Sequence, residues 1–147
     1  MLPRSLIIAV VVGISAGALV GVFLVTQKNP EQLIFVEGAS LSLVTDKIDF
    51  NRAEEIKIKI INSGTSPLTF NDSSYGLKIT GLDGRVLYTP ISFPEMSHLA
   101  PNQEKIFLWN QTKNDGDLAS AGTYKITSSG KYDDLTVKKS ITINIHK

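Results

Sequence analysis

The alternation of apolar and charged residues in one short segment does most to restrict the folds open to this chain. In "EEIKIKIIN", Ile56, Ile58 and Ile60 alternate with Lys57 and Lys59. Because successive side chains of a β-strand point to opposite faces, this pattern predicts a strand with one buried and one solvated face. No helical stripe of apolar residues three and four positions apart occurs after residue 26. The segment therefore favours an antiparallel sheet.

Other segments of the chain share this character, and turn-forming residues separate them. The predicted strands begin at Leu41, Ile48, Ile56, Tyr75, Arg85, Glu104, Thr123 and Val137. The turns between them are rich in Gly, Asn, Asp and Ser, as in "NSGTSP", "LDG", "NDG" and "SSGKYDD". Many short strands with such spacing are typical of immunoglobulin-like sandwiches. We predict an all-β domain over residues 37–147, an immunoglobulin-like antiparallel β-sandwich of about seven strands.

A long apolar run precedes this domain. Residues 6–25 are twenty uncharged residues between Arg4 and Lys28, and thirteen of them are Leu, Ile, Val or Phe. A helix of that length spans roughly 30 Å, the thickness of a bilayer's hydrocarbon core. We predict a transmembrane anchor over residues 1–28 and a tether over 29–36. The alternative is a signal peptide cleaved after "ISAGA", which would leave the apolar "LVGVFLV" on the mature protein.

Three glycines within the predicted span recur every four residues: Gly13, Gly17 and Gly21. Small residues at this spacing let another helix approach closely, although such stripes also arise by chance in apolar helices. We name them as candidates for helix packing.

The flanking charges and two glycosylation sequons bear on topology. Arg4 and the amino terminus precede the span, which favours an amino terminus inside the cell. Asn71 and Asn110 each begin an Asn-x-Ser/Thr tripeptide in a predicted turn, and glycosylation there requires an outside domain. We predict a single-pass protein of the cell membrane with an extracytoplasmic domain.

The composition excludes several function classes. Fifteen basic and fourteen acidic residues, scattered along the chain, form no basic face for nucleic acid. The absence of cysteine excludes disulfides, thiolate metal sites and cysteine nucleophiles. Paired carboxylates are adjacent in sequence, at Glu54-Glu55 and Asp133-Asp134, and so point to opposite sides of a strand. Together with only two histidines, this predicts a protein that is not an enzyme and takes no small-molecule substrate.

Two groups of residues could bind a metal ion, and each has a simpler interpretation. Met96 and His98 could offer a sulfur and an imidazole to copper. The simpler interpretation is a Met that fills a packing gap beside a surface His. Asn114, Asp115 and Asp117 offer oxygens to calcium, but without the distal Glu of an EF-hand they also fit a solvated turn. We expect no cofactor.

The stretch "LWNQTKNDGDLASAGTYKIT", residues 108–127, carries the residues that most resemble a site. We interpret it as scaffold, with Trp109, Gly122 and Tyr124 as structural residues. A Tyr near the start of the penultimate strand of such sandwiches folds its hydroxyl back onto upstream backbone, in a tyrosine corner. Tyr124 is the candidate for this corner.

Three runs of the sequence carry a family resemblance: "EEIKIKIINSGTSPLTF", "GLKITGLDGRVLY" and "LAPNQEKIFLWNQTKNDGDLASAGTYKIT". They resemble the BsuPI family of intracellular proteinase inhibitors and the related immunoglobulin-like module of the flagellar hook-capping protein. The likeness lies in turns, at 62–64, at 101–104 with Asn102 replacing the usual Gly, and at 115–117, and in Trp109 and Gly122-x-Tyr124. It implies an immunoglobulin-like fold and, as one alternative, proteinase inhibition.

The predicted anchor departs from that family, because an inhibitor inside the cell needs none. An anchor followed by a sandwich also resembles, in architecture alone, the membrane-bound stator and accessory proteins of archaeal surface filaments. The function expected from the residues is a non-catalytic interaction or structural module at the membrane. Its partner would be another protein, reached through the span or the sandwich.

Overall fold

A computed structural model of the chain describes residues 33 and 35–147, and Leu33–Lys147 form one compact unit. Within this range no helix is long and apolar enough to cross a bilayer. The predicted span, with Gly13, Gly17 and Gly21, lies outside the described residues.

The described residues form ten strands arranged in two sheets. Their bounds are β1 Leu41–Thr45, β2 Asp49–Asn51, β3 Ile56–Asn62, β4 Leu68–Phe70, β5 Lys78–Gly81, β6 Val86–Tyr88, β7 Ser97–Leu99, β8 Glu104–Trp109, β9 Gly122–Tyr132 and β10 Leu135–His146. One sheet has the order β1-β3-β8. The other has the order β2-β10-β9-β4-β7, with β5 pairing with β9 and β6.

The core is built from the inward-facing residues of both sheets. Ile56, Ile58 and Ile60 are fully buried, and the two lysines between them are half-buried. They belong to one apolar cluster with residues of the second sheet, including Ile79, Ile126 and Ile143 of β5, β9 and β10. The all-β prediction is confirmed for the described residues, and the arrangement is a β-sandwich.

The strand count and direction differ from the prediction. β4 and β7, of three residues each, were not predicted, because "LTF" and "SHL" are too short to show an alternation. β2 runs parallel to β10, with Phe50 beside Ile145, so one pair of the sandwich is not antiparallel.

Two segments have boundaries other than those predicted. β9 continues through "SSGKY", so that only Asp133 and Asp134 form the turn into β10, with Asp133 at a φ of 48°. Position 130 of this strand favours glycine, because a Cβ there would lie 2.7 Å from the ring of Phe70. The strand expected from Tyr75 begins instead at Lys78, since Tyr75–Leu77 form a tight bend.

The sheet β4-β9-β5 is interrupted at one place, and this interruption shapes the surface. β4 pairs with β9 at Lys131, whereas β5 pairs with it from Thr127 onward, so residues 71–77 bulge between them. The edge beyond β4 and β5 is likewise divided between two short strands. β7 pairs with β4 and β6 pairs with β5, and residues 89–96 loop out between the two.

The amino-terminal end of the unit is joined to the turn after β3. The N–H of Val36 donates to Ser63 O at 3.0 Å, and that of Thr65 donates to Gly38 O at 2.8 Å. The backbone of Gly64 lies so close that a Cβ would be 2.1 Å from Gly38 O. The segment before β1 is therefore hydrogen-bonded to the turn between β3 and β4.

Candidate functional site

Tyr124 lies in the stretch that most resembled a site, and it has a structural role. Its hydroxyl donates to Ser120 O at 2.6 Å, four residues upstream, which is the geometry of a tyrosine corner. Its ring meets that of Trp109 edge-on, with centroids 6.2 Å apart. Gly122 begins β9 opposite Ile145, with open space where a Cβ would lie.

Trp109 packs against the tyrosine corner. Its side chain is buried, its ring stacks on Tyr88 at 5.7 Å, and its indole N–H donates to Thr112 O at 2.9 Å. The indole N–H of Trp109 and the hydroxyl of Tyr124 are therefore both hydrogen-bonded inside the fold.

Gln111 is a structural residue that the sequence did not single out. It is fully buried, and its amide holds the turn between β2 and β3: Nε2 donates to Asn51 O and Glu54 O, and Oε1 accepts from the N–H of Ala53. Gln111 and Ala53 both have a positive φ, of 63° and 65°. The only sequence signal was a polar residue two positions after a strand ending in Trp.

The two sequon asparagines are exposed and lie outside strands. Asn110 Oδ1 accepts from the N–H of Thr112 at 3.1 Å. In the other tripeptide the hydroxyl of Ser73 accepts from the N–H of Phe93 at 2.8 Å, which ties the bulge after Asn71 to the 89–96 loop.

The side-chain oxygens of Asn114 and Asp115 in "NDGD" already accept hydrogen bonds. Asp115 accepts from the N–H of Asp117 at 3.0 Å and from Lys113 Nζ at 3.1 Å, and these two donors, in that order, lower the pKa of its carboxyl. Asn114 Oδ1 accepts from the N–H of Thr89 at 3.1 Å. No cluster of three His, Cys, Asp or Glu suited to a metal occurs among residues 33 and 35–147.

Asp115→Ala and Asp117→Ala should each leave the stability of the protein independent of calcium. The N–H of Asp117 and Lys113 Nζ already bind the Asp115 carboxylate, so a metal ion would have to displace them. The measurement is the urea midpoint of each variant and of the unmodified protein, with and without EDTA. An EDTA-sensitive midpoint that the substitutions abolish would identify a calcium loop.

His98 and Met96 do not share a site with another potential ligand. His98 is exposed in β7, opposite Thr69, and Met96 precedes that strand with its side chain 61% exposed. With two potential ligands at the surface, the pair falls short of the ligand set of a copper site.

A polar cavity of about 270 Å³ opens beside the bulge at residues 71–77. Lys78 and Lys131 lie at its rim, and Asp72 and Ser74 line it. Asp72 Oδ1 accepts from both the N–H and the hydroxyl of Ser74, so this carboxylate helps to hold the bulge. The Ser74 hydroxyl that lines the cavity is thus hydrogen-bonded to a carboxylate of the same turn.

The most prominent surface feature is the 91–96 loop. Ile91, Phe93 and Met96 are 94%, 70% and 61% exposed, and they lie within six residues of one another. Their backbone is held in place at Phe93, whose N–H donates to the Ser73 hydroxyl and whose carbonyl accepts from the N–H groups of Ser73 and Glu95 at 3.2 and 2.7 Å. The loop therefore presents apolar side chains on a fixed backbone.

Comparison with known proteins returns structural likenesses only. No protein-family model matches the sequence, and no curated protein matches it significantly. Among solved structures, the sporulation control protein Spo0M from Bacillus subtilis aligns with a TM-score of 0.40 and 12% identity, over 76% of this chain and 51% of that one. The chain thus spans about half the length of the Spo0M chain.

Two further structures align at similar levels. Native alpha-2-macroglobulin from Escherichia coli, from domain MG7 to the C-terminus, gives a TM-score of 0.41 and 16% identity over 74% of this chain and 17% of that one. A beta-glucosidase from Listeria innocua, in complex with glucose, gives 0.37 and 9% over 74% and 16%. Likenesses at these TM-scores carry no functional argument.

Proposed function

We propose that this chain is a non-catalytic protein-binding module, anchored in the cell membrane by residues 6–25 with its sandwich outside, that serves a membrane or cell-surface complex. The observation that carries the proposal is the 91–96 loop, with three exposed apolar side chains on a backbone fixed by hydrogen bonds. Contiguous exposed apolar groups on a soluble domain mark contact sites for other molecules. The anchor and its orientation rest on the apolar run, Arg4 and the sequons.

The fixed backbone of the loop supports a role in protein binding for its exposed apolar side chains. A large aromatic side chain such as Phe93 is the kind of residue that dominates binding energy when a partner's pocket covers it. Because Ser73 already holds the loop, less conformational entropy is lost when a partner orders it.

The double variant Ile91→Ser/Phe93→Ser should lose its protein partner while remaining folded. We expect the amount of co-purifying partner to fall by about tenfold or more, since losing two buried apolar anchors costs well over 1.4 kcal/mol of binding. The measurement is purification of the full chain from its native membranes in mild detergent, with quantification of bound proteins. Leu135→Ser is the matched control, because Leu135 is likewise exposed, at 58%, and belongs to the β9–β10 turn rather than to the loop.

Two results would contradict this proposal. Equal recovery of the partner with the loop variant and with the Leu135→Ser control would remove the loop from the interface. A lowered urea midpoint in the loop variant alone would mean that the loop contributes to folding rather than to binding.

Proteinase inhibition is a second candidate, and the same loop is the feature that favours it. Proteinases bind exposed extended segments, and a segment held by hydrogen bonds resists cleavage and release. Titration of a set of serine and cysteine proteinases with the protein tests this function. Stoichiometric inhibition that Ile91→Ser/Phe93→Ser abolishes would favour an inhibitor over a complex subunit.

A further inference from the structure

A second surface, independent of the 91–96 loop, is the free edge of β8. This six-residue strand pairs only with β3 among the described residues. Ile106 and Leu108 on its outer face are 41% and 56% exposed. The edge strands β6 and β7 of the other sheet have three residues each, and the 89–96 loop separates them. β8, with six residues, is also longer than the remaining edge strands β1 and β2, which have five and three, and so offers the longest template for an added strand among the described residues.

The register of β8 on β3 identifies which backbone groups are free. The N–H of Asn62 donates to Gln103 O at 3.0 Å, which places these two residues at a hydrogen-bonding position of the ladder just before the strand, although the Gln103 N–H donates to Ala100 O. In an antiparallel ladder hydrogen-bonded pairs recur at every second residue. The residues of β8 that face β3 in this way are Lys105, Phe107 and Trp109.

The intervening residues of β8 direct their backbone groups away from β3. By the alternation of the ladder these are Glu104, Ile106 and Leu108, and their N–H and carbonyl groups form no backbone hydrogen bond to a turn or loop of the described part of the chain. A strand placed alongside could pair with all three residues.

We propose that the occupant of this edge is a second copy of the same chain, paired antiparallel through β8 about a two-fold axis at Ile106. In this register Ile106 faces Ile106 of the second copy, and Glu104 faces Leu108. All three outward residues of each strand pair, which gives about six backbone hydrogen bonds. The two three-stranded sheets become one continuous sheet.

Charge complementarity favours a second copy over an unrelated strand. Glu104 of the second copy lies opposite Leu108, and Leu108 in turn pairs with Lys57 on β3. Lys57 and Glu104 form no ion pair within the described residues. Two strand spacings of about 4.8 Å separate their backbones, a span that a Glu and a Lys side chain on the same face can bridge. The two-fold symmetry gives two such Lys57–Glu104 contacts per dimer.

The opposite face of the strand is compatible with the same register and disfavours an axis at Lys105. Lys105 would face Phe107 of the second copy, and within one chain the Lys105 ammonium already lies 5.8 Å from the Phe107 ring centroid. An axis at Lys105 would instead oppose two lysines, which destabilises a cross-strand pair.

The absence of cysteine allows a direct test with single introduced thiols. Ile106→Cys in the full chain, in mild detergent with a gentle oxidant, should form a disulfide-linked dimer. A residue that faces its own copy in a hydrogen-bonded pair has a Cα separation of about 5.5 Å, within the range that a disulfide bridges. Val86→Cys on β6 is the matched control, because Val86 is 47% exposed on the other sheet's edge.

We expect about tenfold more cross-linked dimer from Ile106→Cys than from Val86→Cys, because only paired strands hold two thiols within disulfide range. Adding Glu104→Lys to Ile106→Cys should lower the dimer fraction severalfold, and adding Lys57→Glu as well should restore it. Equal cross-linking at positions 106 and 86 would overturn the proposal, since random collision or association through the span produces that result. Failure of the charge exchange to restore the dimer would overturn the register. Neither result bears on the 91–96 loop.

Discussion

Tyr124→Ala is expected to destabilise the sandwich by about 3–5 kcal/mol, and Tyr124→Phe by only about 0.5–1.5 kcal/mol. The alanine variant loses a buried ring packed edge-on against Trp109 together with the hydrogen bond to Ser120 O. The phenylalanine variant keeps the ring and loses only that bond. The larger effect is a substantial share of the roughly 5–15 kcal/mol available to a domain.

Urea unfolding followed by tryptophan fluorescence measures both variants. Trp109 is the chain's single tryptophan, and its centroid lies 6.2 Å from that of Tyr124, so its emission reports directly on this corner. Equal costs for the two variants would show that the ring contributes little. A Tyr124→Phe variant as stable as the unmodified protein would show that the corner's hydrogen bond contributes nothing.

Gly64→Ala is expected to cost about 3 kcal/mol or more, the upper range for a group forced into packed backbone. The new Cβ would lie 2.1 Å from Gly38 O and 2.7 Å from Ser40 N, and neither backbone atom can turn away as a side chain would. Relief requires the two segments to separate, which breaks the bond from the N–H of Thr65 to Gly38 O.

Thermal unfolding measures the Gly64→Ala cost, and hydrogen exchange at the Thr65 amide locates the damage. Gly84→Ala is the control, because a Cβ there meets open space and pays only the penalty of a positive φ, about 1–2 kcal/mol. Equal destabilisation by the two changes, with Thr65 still protected, would contradict a steric cause at Gly64.

The alternating segments of the sequence predicted the sandwich because they satisfy the strand period by themselves. Ile56, Ile58 and Ile60 reached the core as their spacing required. β4 escaped prediction because its three residues form a strand only through partners at Leu99 and Lys131. Gly130 marked a turn in the sequence, yet it sits within β9 because the Phe70 ring occupies the space of its missing side chain. Both the strand β4 and the place of Gly130 thus depend on residues that are distant in the sequence.

The buried polar residues and the 91–96 loop were missed for the same reason. Asn62 donates to Ser66 O and Leu99 O and accepts from the N–H of Gly64, and in the sequence it was only one letter of a turn. The loop, in "PISFPEM", combines apolar residues with two prolines and shows neither period. Its anchorage by Ser73, twenty residues earlier, is visible only once the bulge after β4 is formed.

The parallel pairing of β2 with β10 affects how the sandwich responds to mechanical tension. Asp49–Asn51 and Leu135–His146 lie near opposite ends of the described unit and run in the same direction. A stretching force applied to the two ends pulls these strands past each other along their length. Their hydrogen bonds are then loaded simultaneously in shear, whereas strands peeled apart from one end lose their bonds one at a time. A sandwich pulled from its two ends in this way would resist extension at this seam.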